Sequence, residues 1–495
     1  PWLNEACLLL EEGVATAAQI DAISCKAFRI GLGPFGLMNL TGPPIALHST
    51  DYLAEQLNTS RYNGAQNLRD LVAENAMWPI EDESEYTQDQ YTTVSERLLG
   101  VVFGVAAQIV EEDICSMEDV DRGAKVGLRW ARGPFEMMNR IGVAEAYRMA
   151  QSYQAIAGEA WTLPAFFKDQ SDASTNWDFS YVDSSIEDGI ATITINRPEA
   201  MNALNEVVIA QLTEAVQAAN ADSNVTTIVL DGAGKAFVAG ADVKFFVDKI
   251  RSDDIPDIET FTENGHVLLA ALEDSSKTTI ALTTGLALGG GLELALACDY
   301  RIGTRRTQFR FPETSIGIYP ALGGTQRPAR IAGRELGRWA VLAGNFMNAE
   351  TATDLGLVTH LVDINDVPNC IKDIHASGKP DNKYPGKPMN ENSPVVKFAK
   401  KFFSDGNMAA LLAGSCPDGF DAEDKTVARQ LKSLKFTAPI GLAMASERID
   451  ATASMSLGEG LQLELQGLDR IFSTEDALEG LSALIEGRRA TYKNA

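Results

Sequence analysis

Histidine is almost missing from this chain of 495 residues. His48, His266, His360 and His375 are all there are, and no two share a metal-ligand spacing. A histidine metal site is therefore not expected. Cysteine is sparse as well. Cys7, Cys25, Cys115, Cys298, Cys370 and Cys416 are scattered with no C-x-x-C pair, which argues against a disulfide framework or a structural zinc and fits a reducing cytoplasm. No run of about 18 uncharged apolar residues occurs, so no membrane-spanning helix is expected. Basic residues are outnumbered: 42 Lys and Arg face 68 Asp and Glu, for a net charge of −26. That balance argues against a nucleic-acid backbone or an anionic membrane as partner. At first sight it also disfavours an anionic substrate.

What remains is ordinary globular composition, 45% hydrophobic and 22% charged, and a length that suggests about three domains. Residue 1 is Pro, with no initiator Met, basic n-region or cleavage signature. The spacing of Leu3, Cys7 and Leu10 reads as a helix already under way, so the chain is expected to be one piece of a longer polypeptide. An internal repeat organises the first third, since residues 1–50 align with 101–150 at an offset of 100. Glu11-Glu12 matches Glu111-Glu112, Asp21 matches Asp121, Gly33-Pro34-Phe35 matches Gly133-Pro134-Phe135, Met38-Asn39 matches Met138-Asn139, and Gly42 matches Gly142. Each copy reads as helix, short turn, helix, Gly-Pro turn and helix, with Pro34 and Pro134 in a first helical turn where the missing N–H costs nothing. Neither copy supplies a nucleophile beside a base, so a packing and dimerisation role is expected.

These residues resemble the duplicated C-terminal helical domain of 3-hydroxyacyl-CoA dehydrogenases. The pattern N-E-A…E-E-G…I-D…G-P-F…G covers residues 4–42, and a looser copy covers 104–142. The resemblance implies a preceding Rossmann domain that carries the G-x-G-x-x-G fingerprint and the catalytic His–Glu pair. No such fingerprint follows a strand in this sequence, so dehydrogenase activity is not expected from the chain alone, and NAD would enter only through a separate Rossmann segment. Helical copies are placed at 1–90 and 91–164, a polar linker at 165–180, and a second domain at 181–495.

From there the rhythm changes to alternating strands and helices. Ile190–Ile195 reads as a strand, Glu206–Ala219 as a helix, Thr227–Leu230 as a buried strand, 259–273 as a helix and Thr279–Leu282 as a strand. The expected class is a multi-domain chain, an all-α duplicated domain followed by an α/β domain. Three segments of the second half carry chemistry. In G-K-A-F-V-A-G-A-D-V-K (234–244) small residues uncover the backbone N–H groups, and Asp242 can start a helix. In L-G-G-G-L-E-L-A-L-A-C-D (288–299) a glycine triplet precedes a helix whose N-terminus suits a developing oxyanion, with Glu293 in its first turn. In F-R-F-P-E-T-S-I-G-I-Y-P-A-L-G-G-T-Q-R (309–327) Glu313 follows a Pro, and Gly323-Gly324 opens another helix start.

Together with N-R-P-E-A-M-N-A-L (196–204) and the C-terminal E-D-A-L-E-G-L-S-A-L-I-E-G-R-R-A-T-Y-K-N, these segments resemble the crotonase (enoyl-CoA hydratase/isomerase) superfamily over residues 180–361 and 436–495. The resemblance implies an acyl-CoA substrate and an oxyanion hole of two backbone N–H groups, at Ala239 and Gly290. It implies Glu293 and Glu313 as the carboxylates that hold a water, the first chiefly the base and the second chiefly the acid–base group serving the α carbon. Ala200, Met201, Gly240, Ala241, Asp242, Val243, Gly291, Tyr319 and Pro320 are the expected substrate-binding residues. Because both carboxylates are present, hydration of a short-chain trans-2-enoyl-CoA is the leading expectation, without metal or redox cofactor. An enoyl-CoA isomerase, or a structural subunit docking a separate dehydrogenase, is the alternative. The resemblance also implies a homo-oligomer, trimer or dimer. It leaves an insertion around 365–432, where residues 375–401 hold Lys379, Lys383, Lys387, Lys397, Lys400 and Lys401 against Asp381 and Glu391. The segment 375–394 reads as a loop, and its lysines are candidates to face CoA phosphates. Local groups of this kind, rather than the global charge, would set the affinity for an anion.

Overall fold

The computed structural model describes residues 1–81, 84–157, 161–381 and 389–494. It divides into two compact units, Pro1–Ser180 and Tyr181–Ala495.

The first unit is helical and duplicated. Its first copy comprises α1 (Trp2–Glu11), α2 (Ala17–Phe28), α3 (Pro34–Thr41), α4 (Pro43–Gln56) and α5 (Gln66–Ala73). The second comprises α6 (Gln88–Glu111), α7 (Met117–Gly127), α8 (Pro134–Ile141), α9 (Val143–Ala157) and α10 (Ala165–Ala173). The repeated residues explain themselves in space. Asp21 accepts hydrogen bonds from the amides of Phe35 and Gly36, both at 2.7 Å, and so caps α3. Asp121 does the same for α8, through Phe135 at 2.8 Å and Glu136 at 2.9 Å. Gly33 and Gly133 are glycines because a Cβ there would lie 2.5 and 2.1 Å from the Cγ of these aspartates.

Asn39 clamps the backbone of Trp78 with two hydrogen bonds of 2.9 Å. Asn139 clamps Trp177 in the same way, at 2.9 and 2.7 Å. The segment expected as a linker, 165–180, is thus the end of the second copy: α10 buries Phe167, and Trp177 closes the fold. Its polar surface hid a short amphipathic helix. The copies meet through Arg97, which pairs with Glu5 and Glu12 at 2.5 Å each, and through Trp130, which packs on Trp2 and Phe28. Helix α6 is long and apolar enough by composition to cross a membrane, but 56% of that stretch is buried inside the unit, as expected of a core helix.

In the second unit, β1 (Val182–Glu187), β2 (Ile190–Ile195), β3 (Thr227–Gly232), β5 (Thr278–Thr283), β7 (Tyr300–Gly303) and β10 (His360–Leu361) form a six-stranded sheet in that order. Strands β4 (Ala236–Ala239), β6 (Leu286–Leu288), β8 (Gln308–Arg310) and β9 (Met347–Asn348) form a second sheet. Pairings are parallel except β1 with β2 and β8 with β9. Helices α11 (Glu206–Ala221), α12 (Val243–Arg251), α13 (Ile255–Glu273) and α14 (Gly290–Ala297) lie between the strands in the chain, with α13 following α12 directly. All eight residues of α14 are buried, which makes it the axis of the core.

Within the insertion the described residues among 378–393 form a loop, as expected of 375–394, while the segments on either side are helical. Pro394–Phe402 buries Val396, Ala399 and Phe402 in the main core. Lys379 pairs with Asp299 at 3.1 Å, beyond the C-terminal end of α14. Lys400 pairs with Glu391 at 2.7 Å. Lys383 and Lys387 lie outside the described residues.

Candidate active site

Two chain crossings build the site. The first is the exit of β4. Asn202, fully buried, donates to the carbonyls of Ala233, Ala236 and Phe237 and fixes the loop that faces this exit. The amide of Leu204 donates to Gly240 O at 2.9 Å, and Asp242 N–H donates to Leu204 O at 2.8 Å. Gly240 turns the backbone at a φ of 87°, and Asp242 caps α12 while pairing with Arg197 at 3.3 Å. Ala239 is expected to supply an oxyanion donor, but its N–H already donates to Met201 O at 3.0 Å. Ala241 N–H, two residues on, has no acceptor among the described residues and belongs to the wall of the cavity. The positive-φ turn at Gly240 breaks the strand's alternation, so the amides of 239 and 242 face the neighbouring segment and that of 241 does not.

The second crossing is the start of α14. Gly289 has a φ of 46°, and its N–H donates to Arg310 O at 2.9 Å. Gly290 N–H, the next amide, has no acceptor among the described residues and opens at the positive end of the helix. A side chain at Gly289 would sit 2.2 Å from Glu313 Oε1, so glycine there lets the carboxylate approach. Gly291, expected to bind substrate, instead packs on β4, where an added Cβ would meet Val238 O at 2.1 Å. It does not line the cavity.

Both glutamates meet at this point. Glu293 is 2% exposed and Glu313 7%. Glu293 Oε1 accepts from the amides of Leu322 at 2.7 Å and Gly324 at 2.6 Å. No protein donor reaches its Oε2 among the described residues. Glu313 Oε2 is buried with no hydrogen-bond partner among the described residues. Burial, then the neighbouring charges of Glu313 and Glu464, push the Glu293 carboxyl well above the usual range, and the two amides oppose this. Burial lifts Glu313 to about 8, opposed in part by the Arg310 cation.

Glu464 was not singled out in the sequence. It is fully buried and accepts from Gly323 N–H at 2.7 Å, Thr325 N–H at 3.1 Å and the Thr325 hydroxyl. Burial lifts it to about 7. Four successive amides, 322 to 325, therefore alternate between two glutamates, and the turn carrying Pro320 is rigid on both sides. A buried Glu inside the apolar run Leu461-Gln462-Leu463-Glu464-Leu465 was the signal available for it. Tyr319 donates to Glu464 O at 2.5 Å, and the Arg448 guanidinium lies 4.4 Å from its ring centroid.

These groups surround one cavity of about 450 Å³ lined by Ala200, Met201, Ala239, Gly240, Ala241, Asp242, Val243, Gly290, Glu293, Glu313, Tyr319 and Pro320, with Phe246, Phe261 and Leu322 supplying apolar wall. The arrangement offers two uncommitted amides for an anionic oxygen and two carboxylates for moving protons. Lys379 does not face it. It sits past one end of α14, whereas Gly290 opens the other, and eight residues of helix span roughly 12 Å.

Residues 190–493 match the family model for enoyl-CoA hydratase/isomerase. Residues 1–84 and 94–173 match that for the C-terminal domain of 3-hydroxyacyl-CoA dehydrogenase. Over 310 residues the chain is 31% identical to a probable enoyl-CoA hydratase of Rhizobium meliloti, covering 62% of this chain and 95% of the relative. It is 29% identical over 307 residues to a crotonyl-CoA hydratase of Syntrophomonas wolfei, covering 62% and 95%. Among solved structures, an enoyl-CoA hydratase from Rhodobacter sphaeroides aligns with a TM-score of 0.54 at 26% identity, over 62% of this chain and 90% of that one.

Proposed function

This chain belongs to the enoyl-CoA hydratase/isomerase family, and from that premise we propose that its crotonase-fold unit adds water across the double bond of a trans-2-enoyl-CoA to give a 3-hydroxyacyl-CoA. The observation that carries the reading is the pair of buried carboxylates, each with an oxygen that no protein group uses among the described residues, beside two amides unengaged there.

The thioester oxygen sits between the amides of Ala241 and Gly290, where donors and the α14 terminus stabilise the enolate charge. One such donor is worth on the order of 3 kcal/mol. A water is held between Glu293 Oε2 and Glu313 Oε2. Two charges in so dry a site repel, so the pair shares a proton before reaction. Glu313, with no donor to its Oε2, carries it. Glu293, whose Oε1 is held by two amides, stays ionised. Glu293 takes a proton as the water oxygen bonds to the β carbon, and Glu313 passes its own proton to the α carbon. The chain itself thus supplies every acid, base and anion-stabilising group the addition requires. Tyr319 and Pro320 form part of the wall around the acyl group, in keeping with a short chain.

A homo-oligomer, a cytoplasmic location and a Rossmann-bearing segment that oxidises the product belong to the same reading; the match of the first unit to a dehydrogenase domain supports the last. The test is loss of conjugated-thioester absorbance on mixing the chain with crotonyl-CoA. Wild type is expected to consume it and both Glu293→Gln and Glu313→Gln to fail. Full activity in either variant overturns the two-carboxylate mechanism, and allylic isomerisation of a 3-enoyl-CoA without hydration overturns the hydratase assignment.

A further inference from the structure

A second cavity of about 530 Å³ lies against the first, and the two share Arg310, Pro312, Ile316 and Leu484. In a chain of net charge −26, its wall holds Arg310, Lys435, Arg488 and Arg489 and, among the described residues, no Asp or Glu. Arg488 is neutralised by Glu479 and Glu486, at 2.7 and 2.5 Å. The other three have no carboxylate partner among the described residues. Arg310 is half-buried and held in place by uncharged groups. Its Nε donates to Gly344 O at 2.7 Å, its Nη2 to Ser315 Oγ at 3.4 Å, and its guanidinium lies 4.9 Å from the Phe346 ring centroid. Its Nη1 has no protein acceptor among the described residues. Arg489, 4.1 Å over Phe436, and Lys435 are exposed at the rim. Glu313 acts on Arg310 without a direct ion pair, and a partly desolvated cation with no salt-bridged carboxylate is an electrostatic cost that a bound anion would offset.

The position of Arg310 identifies which anion. It precedes Glu313 by three residues on the same strand exit, and its charge acts on that carboxylate. It is therefore close to the reacting carbons. The phosphates of CoA are held away from those carbons by the whole pantetheine arm. A short-range anion on this side must belong to the acyl group.

We propose that the second cavity receives a carboxylate at the far end of the acyl chain, with Arg310 as its paired cation and Arg489 and Lys435 at the rim, so that the substrate class is a trans-2-enedioyl-CoA. This rests on the hydratase reading above.

The test compares hex-2-enoyl-CoA with hex-2-enedioyl-CoA, which differ only in a methyl or a carboxylate at the chain end. Wild type is expected to favour the enedioyl thioester in kcat/KM on the order of tenfold or more, and the preference should shrink as salt is raised. Arg310→Met should erase it, with a smaller effect on hex-2-enoyl-CoA, and Arg489→Met should reduce it. Equal kcat/KM in wild type, or a salt-independent preference, overturns the proposal even if Arg310→Met fails to fold. So does an equal fall on both substrates in Arg310→Met, or weakened binding of free CoA by that variant in calorimetry, which would assign the cation to the phosphates. Hydration of neither substrate by wild type would bring down the hydratase reading itself, a failure separable from hydration of both at equal rates.

Discussion

Both units bury carboxylates against backbone amides, yet they use them differently. In the helical unit, Asp21 and Asp121 each commit one oxygen to one amide and the other oxygen to the next. Glu464 in the second unit is equally satisfied, with donors on both oxygens. Glu293 and Glu313 are buried like Asp121 and Glu464, but each keeps an oxygen that no protein donor reaches among the described residues. A saturated carboxylate is an anchor. An unsaturated one is a reagent, because its remaining lone pairs can only be met by water or substrate. Burial alone does not separate the two kinds, nor does the number of donors; what does is whether both oxygens are engaged or one is left over.

Four experiments break or sharpen that contrast, beginning with the largest effect. Glu293→Gln or Glu313→Gln should lower kcat for crotonyl-CoA on the order of 10²–10⁴-fold, while the thermal midpoint holds or rises, since either change dissolves a buried carboxylate pair that has to share one proton. A variant that lost stability and kept its rate would move either residue to the anchor class. Gly133→Ala should be the costliest change in the helical unit, because its Cβ would lie 2.1 Å from Asp121 Cγ. A loss of about 1–3 kcal/mol in denaturant unfolding is expected, with Gly33→Ala slightly milder at 2.5 Å. Glu464→Gln should cost about 1–3 kcal/mol of stability and only secondarily slow turnover, through the turn it shares with Glu293. A rate loss equal to that of Glu293→Gln would make it a reagent.

The smallest effect is in pH. The Glu313 carboxyl is lifted to about 8, so its folded pKa exceeds its unfolded one. Its contribution to stability is full below the unfolded value, near 4.5, and is lost as pH rises through about 8. Glu313→Gln should therefore gain on wild type in thermal midpoint between pH 6 and 9, and the kcat/KM of wild type should fall above about pH 8 as the acid ionises. For Asp121, lifted to about 7 by burial, the same sign holds. The stability lost in Asp121→Asn should shrink as pH rises from about 4 to 8, because wild type alone then pays for a buried charge. A constant gap would show that its amides hold the anion without strain.

Much of this was legible beforehand. The repeat, the Gly-Pro helix starts, the glycine triplet before Glu293 and the Pro-Glu step at Glu313 are local patterns, and each lies where the pattern implies. The errors share a cause. Ala239 and Ala241 are both small residues in an exposed strand exit, and only the partner segment 201–204 shows which amide is taken. Gly291 reads like Gly290 until β4 packs on it. The supposed linker has few apolar residues, yet Phe167 and Trp177 suffice to seat it. The loop expected in the Lys-rich insertion is there in its described residues, but the helix Pro394–Phe402 that follows it shows only a short core face in the sequence.

The sequence by itself thus determined the two units, the duplication within the first, and the two reacting carboxylates of the second, since all of these depend on residue type at close spacing. Tertiary structure decided which amides are free, that Glu464 sits 141 residues from the amide of Gly323 it accepts, and that Arg310 stands beside Glu313 facing a cavity without acids. The physical reason is that an available hydrogen bond or an unmatched charge is defined by what has not paired with it, and those partners are brought from distant parts of the chain only by folding.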